Sequence, residues 1–364
     1  MHYTELATPA LTVDLDILDR NLDRMAAYCR EHKLGLRPHT KTHKTVEVAR
    51  KQLERGAAGL TVAKVGEAEV MVGADPTEIL VAFPVFGASK LNRLAALAAK
   101  QRILVSLDSE AVARELSKAA TGQQTTVGVL VEFDSGLGRC GIHPGPDCVE
   151  LARAIQKLPG LKFRGLMTYP GNIWGTNEER AKESESVAGA VARALAAFET
   201  ERMPVEIVSA GSTPSAVLSD KVHGITEIRP GTYVYNDLNT YYQGACTLED
   251  CAARVVATVV STAVPHRAII DGGSKTFSSD LLGSGPRTGY GLVVEAPGAR
   301  LIKLNEEHGY LDTTGCDHTF HVGEVVTVIP NHVCACVNLH DEIFLLRGGE
   351  YAGSWQVAAR GKIR

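Results

Sequence analysis

The chain predicts an α/β fold: a closed (β/α)8 TIM-like barrel followed by a C-terminal β domain. Three features carry this expectation. Short β-rich runs alternate with amphipathic helical stretches up to about residue 245. From about Cys246 the helices almost vanish while strand-like runs continue, and no internal repeat or low-complexity linker lies between the two textures. Repeated βα units imply parallel pairing, because each helix returns the chain across the sheet, and this many of them suggest closure into a barrel. An open doubly wound sheet is the other architecture such repeats permit. The expected division is 1–245 for the barrel and 246–364 for the β domain.

Taken in order, Ala10-Leu11-Thr12-Val13 reads as a strand before a helix that runs through Arg30, with Leu18, Leu22 and Met25 at helical spacing. Further strands are expected at Leu34–Arg37, Gly59–Val62, Ile79–Ala82, Ile103–Ser106, Val127–Phe133, Phe163–Thr168 and Val205–Ser209. Between them lie Ala- and Leu-rich helices at Leu91–Lys100, Ala111–Ala119, Cys148–Lys157 and Glu178–Glu201. Beyond Cys246, strands are expected at Arg254–Val264, Ala268–Asp271, Gly291–Val294, Glu324–Ile329, Glu342–Leu346 and Trp355–Ala359, separated by Gly, Pro and charged turns.

Composition excludes several classes of function. A net charge of -4 over 364 residues leaves no basic excess to hold a nucleic-acid backbone. No apolar run approaches the roughly twenty residues that span a bilayer. The opening MHYTELATPALTVDLD lacks the basic stretch and apolar core of a secretory leader, so a cytoplasmic location is expected. The eight cysteines form no C-x-x-C framework, and reduced thiols are the expectation for a chain that can bury a core of this size.

The segment Leu36-Arg37-Pro38-His39-Thr40-Lys41-Thr42-His43-Lys44-Thr45 follows the second strand, where a barrel presents catalytic groups. A lysine confined there among positive charges can attack an aldehyde cofactor. Alone, a basic loop with two histidines is a common solvated turn. Four further segments follow it in order. They are Glu132-Phe133-Asp134-Ser135-Gly136-Leu137-Gly138-Arg139-Cys140-Gly141, Gly165-Leu166-Met167-Thr168-Tyr169, Ser209-Ala210-Gly211-Ser212-Thr213-Pro214-Ser215 and Glu227-Ile228-Arg229-Pro230-Gly231-Thr232-Tyr233-Val234-Tyr235. The set resembles the fold-type III pyridoxal-phosphate enzymes, with a barrel of the alanine racemase type, and most closely the D-threonine aldolase and D-serine dehydratase family.

The resemblance implies that Lys41 carries pyridoxal 5'-phosphate as a Schiff base, and that Arg139 lies near the cofactor's phenolate oxygen. It implies Tyr169 beside the pyridine ring and Arg229 at the pyridine nitrogen. Gly211, Ser212, Thr213, Gly231, Thr232 and Tyr233 are then expected around the phosphate, where small residues bring backbone N–H groups and hydroxyls to a dianion. Fold-type III sites lie near a subunit boundary, so a homodimer is also implied.

In the β domain, Ile329-Pro330-Asn331-His332-Val333-Cys334 ends a strand. Residues i and i+2 of an extended segment share a face, so His332 and Cys334 can converge on one ion. Imidazole with thiolate suits zinc, and an incomplete protein shell leaves positions for water and substrate. An isolated H-x-C on a strand is more often packing; the resemblance, which places a divalent metal (zinc or manganese) on an H-x-C or H-x-D pair here, shifts that balance. Leu304-Asn305-Glu306-Glu307-His308-Gly309 is similar to the family's "EHG" element, so His308 is expected to orient a metal-associated water or contact substrate, with a structural histidine as the alternative.

A metal beside the bound substrate can take its 3-hydroxyl as a Lewis acid. The chain is therefore expected to be a lyase on D-3-hydroxy amino acids, first a D-threonine aldolase. D-serine or D-threo-3-hydroxyaspartate dehydration is the alternative and racemisation a more distant one. His332-x-Cys334, Gly211-Ser212-Thr213-Pro214 and Arg229 resemble the dehydratase branch. Asn338-Leu339-His340-Asp341 and Trp355–Gly361 resemble the aldolase branch.

Overall fold

In the computed structural model, residues 1–173, 177–282 and 288–364 are described. Contacts divide the chain into two compact units: Met1–Asp23, Thr42–Thr45 and Thr232–Arg360 form one, and Arg24–Lys41, Val46–Gly231 and Gly361–Arg364 the other. This division departs from the one at 245/246 expected from texture, since the N-terminal residues and Thr232 onwards group with the β-rich part.

Strand β1 (Ala10–Asp14) accounts for much of that difference. It was expected among the barrel strands, but it pairs antiparallel with β10 (Ala253–Val264) and parallel with β16 (Glu342–Arg347). The choice of partner is made by residues more than 200 positions away, which local periodicity does not register. Helix α1 (Leu15–Glu31) follows, with Leu18 and Leu22 buried as their spacing predicts.

The barrel unit then contains β2 (Gly35–Leu36), α2 (Val46–Glu54), β3 (Leu60–Val62), α3 (Val65–Met71), β4 (Ile79–Val81), α4 (Ala88–Ala98) and β5 (Ile103–Leu107). It continues through α5 (Glu110–Gly122), β6 (Val127–Glu132), α6 (Pro146–Gln156), β7 (Leu161–Met167), α7 (Asn177–Thr200), β8 (Ile207–Ala210) and β9 (Glu227–Ile228). Eight parallel strands run in the order β2-β9-β8-β7-β6-β5-β4-β3, and a parallel bridge between His39 and Thr61 joins the two ends. Every expected strand from Leu34 to Ser209 is present, shifted by at most a few residues. The short helices α2 and α3 were not anticipated.

Period-two alternation explains where the chemistry sits. Leu80, Leu104, Leu130, Met167 and Ile207 pack into one apolar cluster. Two residues further along β5, β6 and β8 the same face presents Ser106, Glu132 and Ser209, all buried, so the filling turns polar toward the strands' C-terminal ends. One glycine is indispensable to this closure. Gly165 in β7 has φ +151°, and a Cβ there would lie 1.9 Å from the Ile207 carbonyl oxygen of the neighbouring strand. Gly165→Ala is therefore expected to destabilise the fold by at least about 2 kcal/mol, measured as a lower denaturation midpoint with an unchanged slope.

The β unit is built from β10 and β11 (Arg267–Ile270), β12 (Gly291–Val293), β13 (Arg300–Leu304), β14 (Gly309–Asp312), β15 (Val325–Pro330), β16 and β17 (Glu350–Gln356). Its sheet order is β11-β14-β13-β12-β15-β10-β1-β16-β17, and β11 also pairs with β10, so six strands close on themselves. Hairpin β13–β14 was not expected. The last strand lies at Glu350–Gln356 rather than Trp355–Ala359, with turns from Ala358 to Arg360. Two short helices interrupt the sheet, α9 (Ser274–Phe277) and α10 (Val333–Val337), after α8 (Leu238–Tyr242) at the start of the unit.

Candidate active site

Within the barrel unit, three of the expected residues gather around one ring. Lys41 Nζ lies 5.8 Å from the centroid of Tyr169, and the Arg139 guanidinium carbon lies 4.7 Å from the same centroid. Lys41 follows the His39–Thr61 bridge, and its N–H donates to His39 Nδ1 at 3.3 Å. Tyr169 stands two residues past β7. Arg139 is carried by a loop that Asp134 ties together by accepting from Gly136 and Gly138 N–H at 2.9 and 3.1 Å. An amine, a guanidinium and an aromatic face thus meet at the strand ends, the arrangement a planar anionic cofactor requires.

Arg229, just past β9, is buried, and desolvation lowers its guanidinium to about 10. It donates to Ser209 Oγ at 2.6 Å and to the Thr168 carbonyl at 2.7 Å. The Ser209 hydroxyl in turn donates to Glu227 Oε1 at 2.5 Å, and Arg37 donates to both Glu227 oxygens at 2.9 and 3.0 Å. This buried relay keeps the cation oriented although water cannot reach it. Glu132 is raised above the ordinary carboxylate range by burial, against the opposing charges of Arg229 and Arg139.

The phosphate expectation meets a specific test. Gly211 and Gly231, at the ends of adjacent strands β8 and β9, are both buried, and among the described residues neither N–H has a protein acceptor. Gly211 has φ +81°, and a Cβ there would press on Ile228 at 3.0 Å. Two unsatisfied N–H groups on adjacent strand ends suit a dianion. Ser212 is partly committed elsewhere, since its N–H donates to Ser215 Oγ at 2.8 Å. Thr213 is buried beside it. The residues present fit pyridoxal phosphate.

In the β unit, the H-x-C pair does not lie on a strand, contrary to expectation. Strand β15 ends at Pro330; His332 is the extended residue before α10, and Cys334 is the second residue of that helix. The chain turns here because Asp237 Oδ2 accepts from Val333 N–H at 3.0 Å, replacing the ladder bond a strand would need. The two side chains still meet. His332 is pushed up to about 9, first by its hydrogen bond with Cys334 and then by neighbouring negative charge, against partial burial. Thr42 Oγ1 lies 3.1 Å and Thr232 Oγ1 3.8 Å from Cys334 Sγ, so hydroxyl donors are available to a thiolate. Among the described residues no group of three or more His, Cys, Asp or Glu is placed to hold a metal ion together. Two protein donors with the rest of the shell open match a catalytic metal better than a structural one.

Cys336, two residues on, is a different case. Burial pushes its thiol up to about 12, and it donates to the Thr276 carbonyl at 3.2 Å. His340 shares that carbonyl at 3.1 Å. All eight cysteines are free, as expected. Tyr233 is buried in a 3-10 turn, Thr232–Val234. His308 stands exposed in the β13–β14 turn, and its ring has no hydrogen bond among the described residues, so it is not joined to His332 or Cys334. Sequence reading passed over Ser209 and Glu227 as supports of Arg229, and over Asp237 and Asp280 beside the metal pair. Ser209 and Glu227 lie inside the quoted motif segments, whereas Asp237 and Asp280 lie in none of them.

The alanine racemase N-terminal domain matches residues 13–239. The chain belongs to that family. A serine dehydratase domain matches residues 252–346. Relatives are similar along almost the whole chain. D-threonine aldolase of Arthrobacter sp is 33% identical, over 98% of this chain and 93% of that protein. The structure of D-threonine aldolase from Filomicrobium marinum superposes with a TM-score of 0.91 at 32% identity, covering 100% of this chain and 98% of the other. D-threo-3-hydroxyaspartate dehydratase from Delftia sp. HT23 gives 0.88 at 31% identity, with 98% of each chain covered. A cysteine-to-alanine mutant of D-threo-3-hydroxyaspartate dehydratase is known in a metal-free form. Among the described residues no helix is long and apolar enough to cross a membrane.

Proposed function

We propose that this chain is a pyridoxal-phosphate- and divalent-metal-dependent lyase of D-3-hydroxy amino acids, acting first as a D-threonine aldolase. One observation carries the reading. Thr42, whose hydroxyl lies 3.1 Å from Cys334 Sγ, is the residue covalently next to Lys41, so the lysine motif and the metal pair are tied by one peptide bond and one polar contact.

In this reading Lys41 holds the cofactor covalently, Gly211 and Gly231 donate to its phosphate, and Arg139, Tyr169 and Arg229 surround its ring. Pyridoxal phosphate supplies an electron-withdrawing ring conjugated to the substrate's amino nitrogen, which weakens the bonds at the 2-carbon. A divalent ion, zinc or manganese, on His332 and Cys334 supplies Lewis acidity to the substrate's 3-hydroxyl. Arg229 stays cationic through its Ser209–Glu227 relay, and a cation beside the pyridine nitrogen keeps that nitrogen unprotonated. Lys41 is the amine placed to give or take the proton at the 2-carbon. Breaking the bond between carbons 2 and 3 of D-threonine yields glycine and acetaldehyde. Removing the proton from carbon 2 with departure of the hydroxyl as water leaves an enamine, which a second water hydrolyses to a 2-oxo acid and ammonia.

The dehydratase outcome is the second reading, favoured by the H-x-C form of the His332–Cys334 pair, which resembles the dehydratase branch. The test is incubation with D-threonine, D-serine and D-threo-3-hydroxyaspartate, with L-isomers as controls, assaying glycine, aldehyde and 2-oxo acid separately. Glycine with acetaldehyde from D-threonine alone of the two threonine isomers is expected. Stoichiometric 2-oxo acid and ammonia would move the assignment to the dehydratases, and exchange of the 2-hydrogen without product would move it to a racemase. A homodimer and a cytoplasmic location belong to the same proposal; sedimentation velocity measures the first.

A further inference from the structure

His332 has a carboxylate partner that the two-ligand description leaves out. Its Nδ1 lies 2.7 Å from Asp280 Oδ2. The contact is braced from both sides. Asn331 Nδ2 donates to the Asp280 carbonyl at 2.7 Å and to the Gly289 carbonyl at 2.6 Å, which ties the backbone before His332 to the loop bearing Asp280. On the other side Asp237 fixes Val333 N–H at 3.0 Å and the Thr240 N–H at 2.9 Å, anchoring α10 to α8. His332 is thus held by its ring from one carboxylate while the next peptide is held by another.

The arrangement decides which nitrogen a metal can use. A carboxylate only accepts, so the ring must donate Nδ1–H to Asp280, and the lone pair of the neutral ring is then at Nε2. Through this bond Oδ2 of Asp280 faces the His332 ring nitrogen. From this geometry we infer that Asp280 is a positioning residue of the metal centre: it fixes the His332 tautomer and ring orientation, so that Nε2 binds the divalent ion, and it increases the basicity of that nitrogen. Such outer carboxylates orient a ligating imidazole before the metal arrives, and their loss weakens metal binding about 10- to 100-fold. The inference rests on the proposed metal role of His332 and Cys334.

The experiment is zinc affinity, by competition with a chromophoric chelator, on cofactor-loaded enzyme stripped of metal. Wild type, D280N and H332A are compared, together with the unfolding midpoint of each metal-free protein. D280N is expected to bind zinc about 10- to 100-fold more weakly than wild type. Its metal-free midpoint should be unchanged, because Asp280 and His332 are both about half exposed. Its kcat should recover at saturating zinc, with D280E closer to wild type. Wild-type zinc affinity in D280N overturns the inference while leaving the metal pair standing. A loss of affinity matched by an equal loss of metal-free stability overturns it too, by reducing Asp280 to a structural contact. If wild type takes up no zinc, or H332A binds it as tightly as wild type, the metal reading itself falls and the inference with it.

Discussion

Lys41→Ala is expected to yield a folded, colourless protein: the visible absorbance of lysine-bound pyridoxal phosphate disappears, and lyase turnover falls by about three orders of magnitude or more. Two functions are lost together. The amine proposed to anchor the cofactor is gone, and so is the group proposed to move a proton at the substrate's 2-carbon, a role worth about 10²- to 10⁴-fold by itself. Stability should change little, since Lys41 is only partly buried and its contacts among the described residues are a 3.3 Å N–H bond that alanine retains and a 5.8 Å approach to Tyr169. The phosphate contact proposed at Gly211 and Gly231 does not involve the lysine, so the variant should still bind pyridoxal phosphate reversibly. Spectrophotometry with borohydride trapping checks the assignment: a trapped adduct on another lysine, in wild type or variant, would falsify it.

The second large effect is expected at the metal pair. Stripping the metal with a chelator, or combining His332→Ala with Cys334→Ala, should reduce turnover by about 10³-fold while the cofactor absorbance persists. A Lewis acid contributes several kcal/mol at a departing or ionising oxygen, and each 1.4 kcal/mol is about tenfold in rate. Persistence of the absorbance separates this effect from cofactor loss, because Lys41, Arg139, Tyr169, Arg229, Gly211 and Gly231 belong to the barrel unit, whereas His332 and Cys334 do not. Cys336→Ala makes a useful contrast. Its protonated, buried thiol is committed to the Thr276 carbonyl, so that change should leave metal content intact. Elemental analysis beside the rate measurement decides the point. Turnover unaltered in metal-stripped enzyme would remove the metal from the reaction.

Local reading of the chain succeeded where a residue's role follows from its own neighbours. The barrel strands alternate, or run apolar, within a few residues of where they form, and helix α1 buries Leu18 and Leu22 because their spacing allows nothing else. Lys41, Arg139 and Tyr169 were legible through the motifs around them, whose resemblance to a known family pointed to each, although a basic loop like that of Lys41 is ordinary when read alone. The H-x-C pair was recognisable for its donor chemistry but not for its geometry. Nothing near Asn331 announces that Asp237, almost a hundred residues earlier, will cap Val333 and turn an extended segment into a helix. The β13–β14 hairpin and the true place of β1 were likewise missed, because strand pairing in both depends on distant partners.

By itself the order of residues determined the eight-stranded parallel barrel, the strand-rich second part and the kinds of chemical group at each strand end. Those properties follow from side-chain periodicity and residue type, which act within one or two turns of chain. Only the tertiary structure decided which groups stand together. It aimed Arg229 through Ser209 toward Glu227 and set Asp280 against His332. Each pairing joins side chains that the fold, not their neighbours in the chain, brings together, and a polar group withdrawn from water is stabilised only by the right partner.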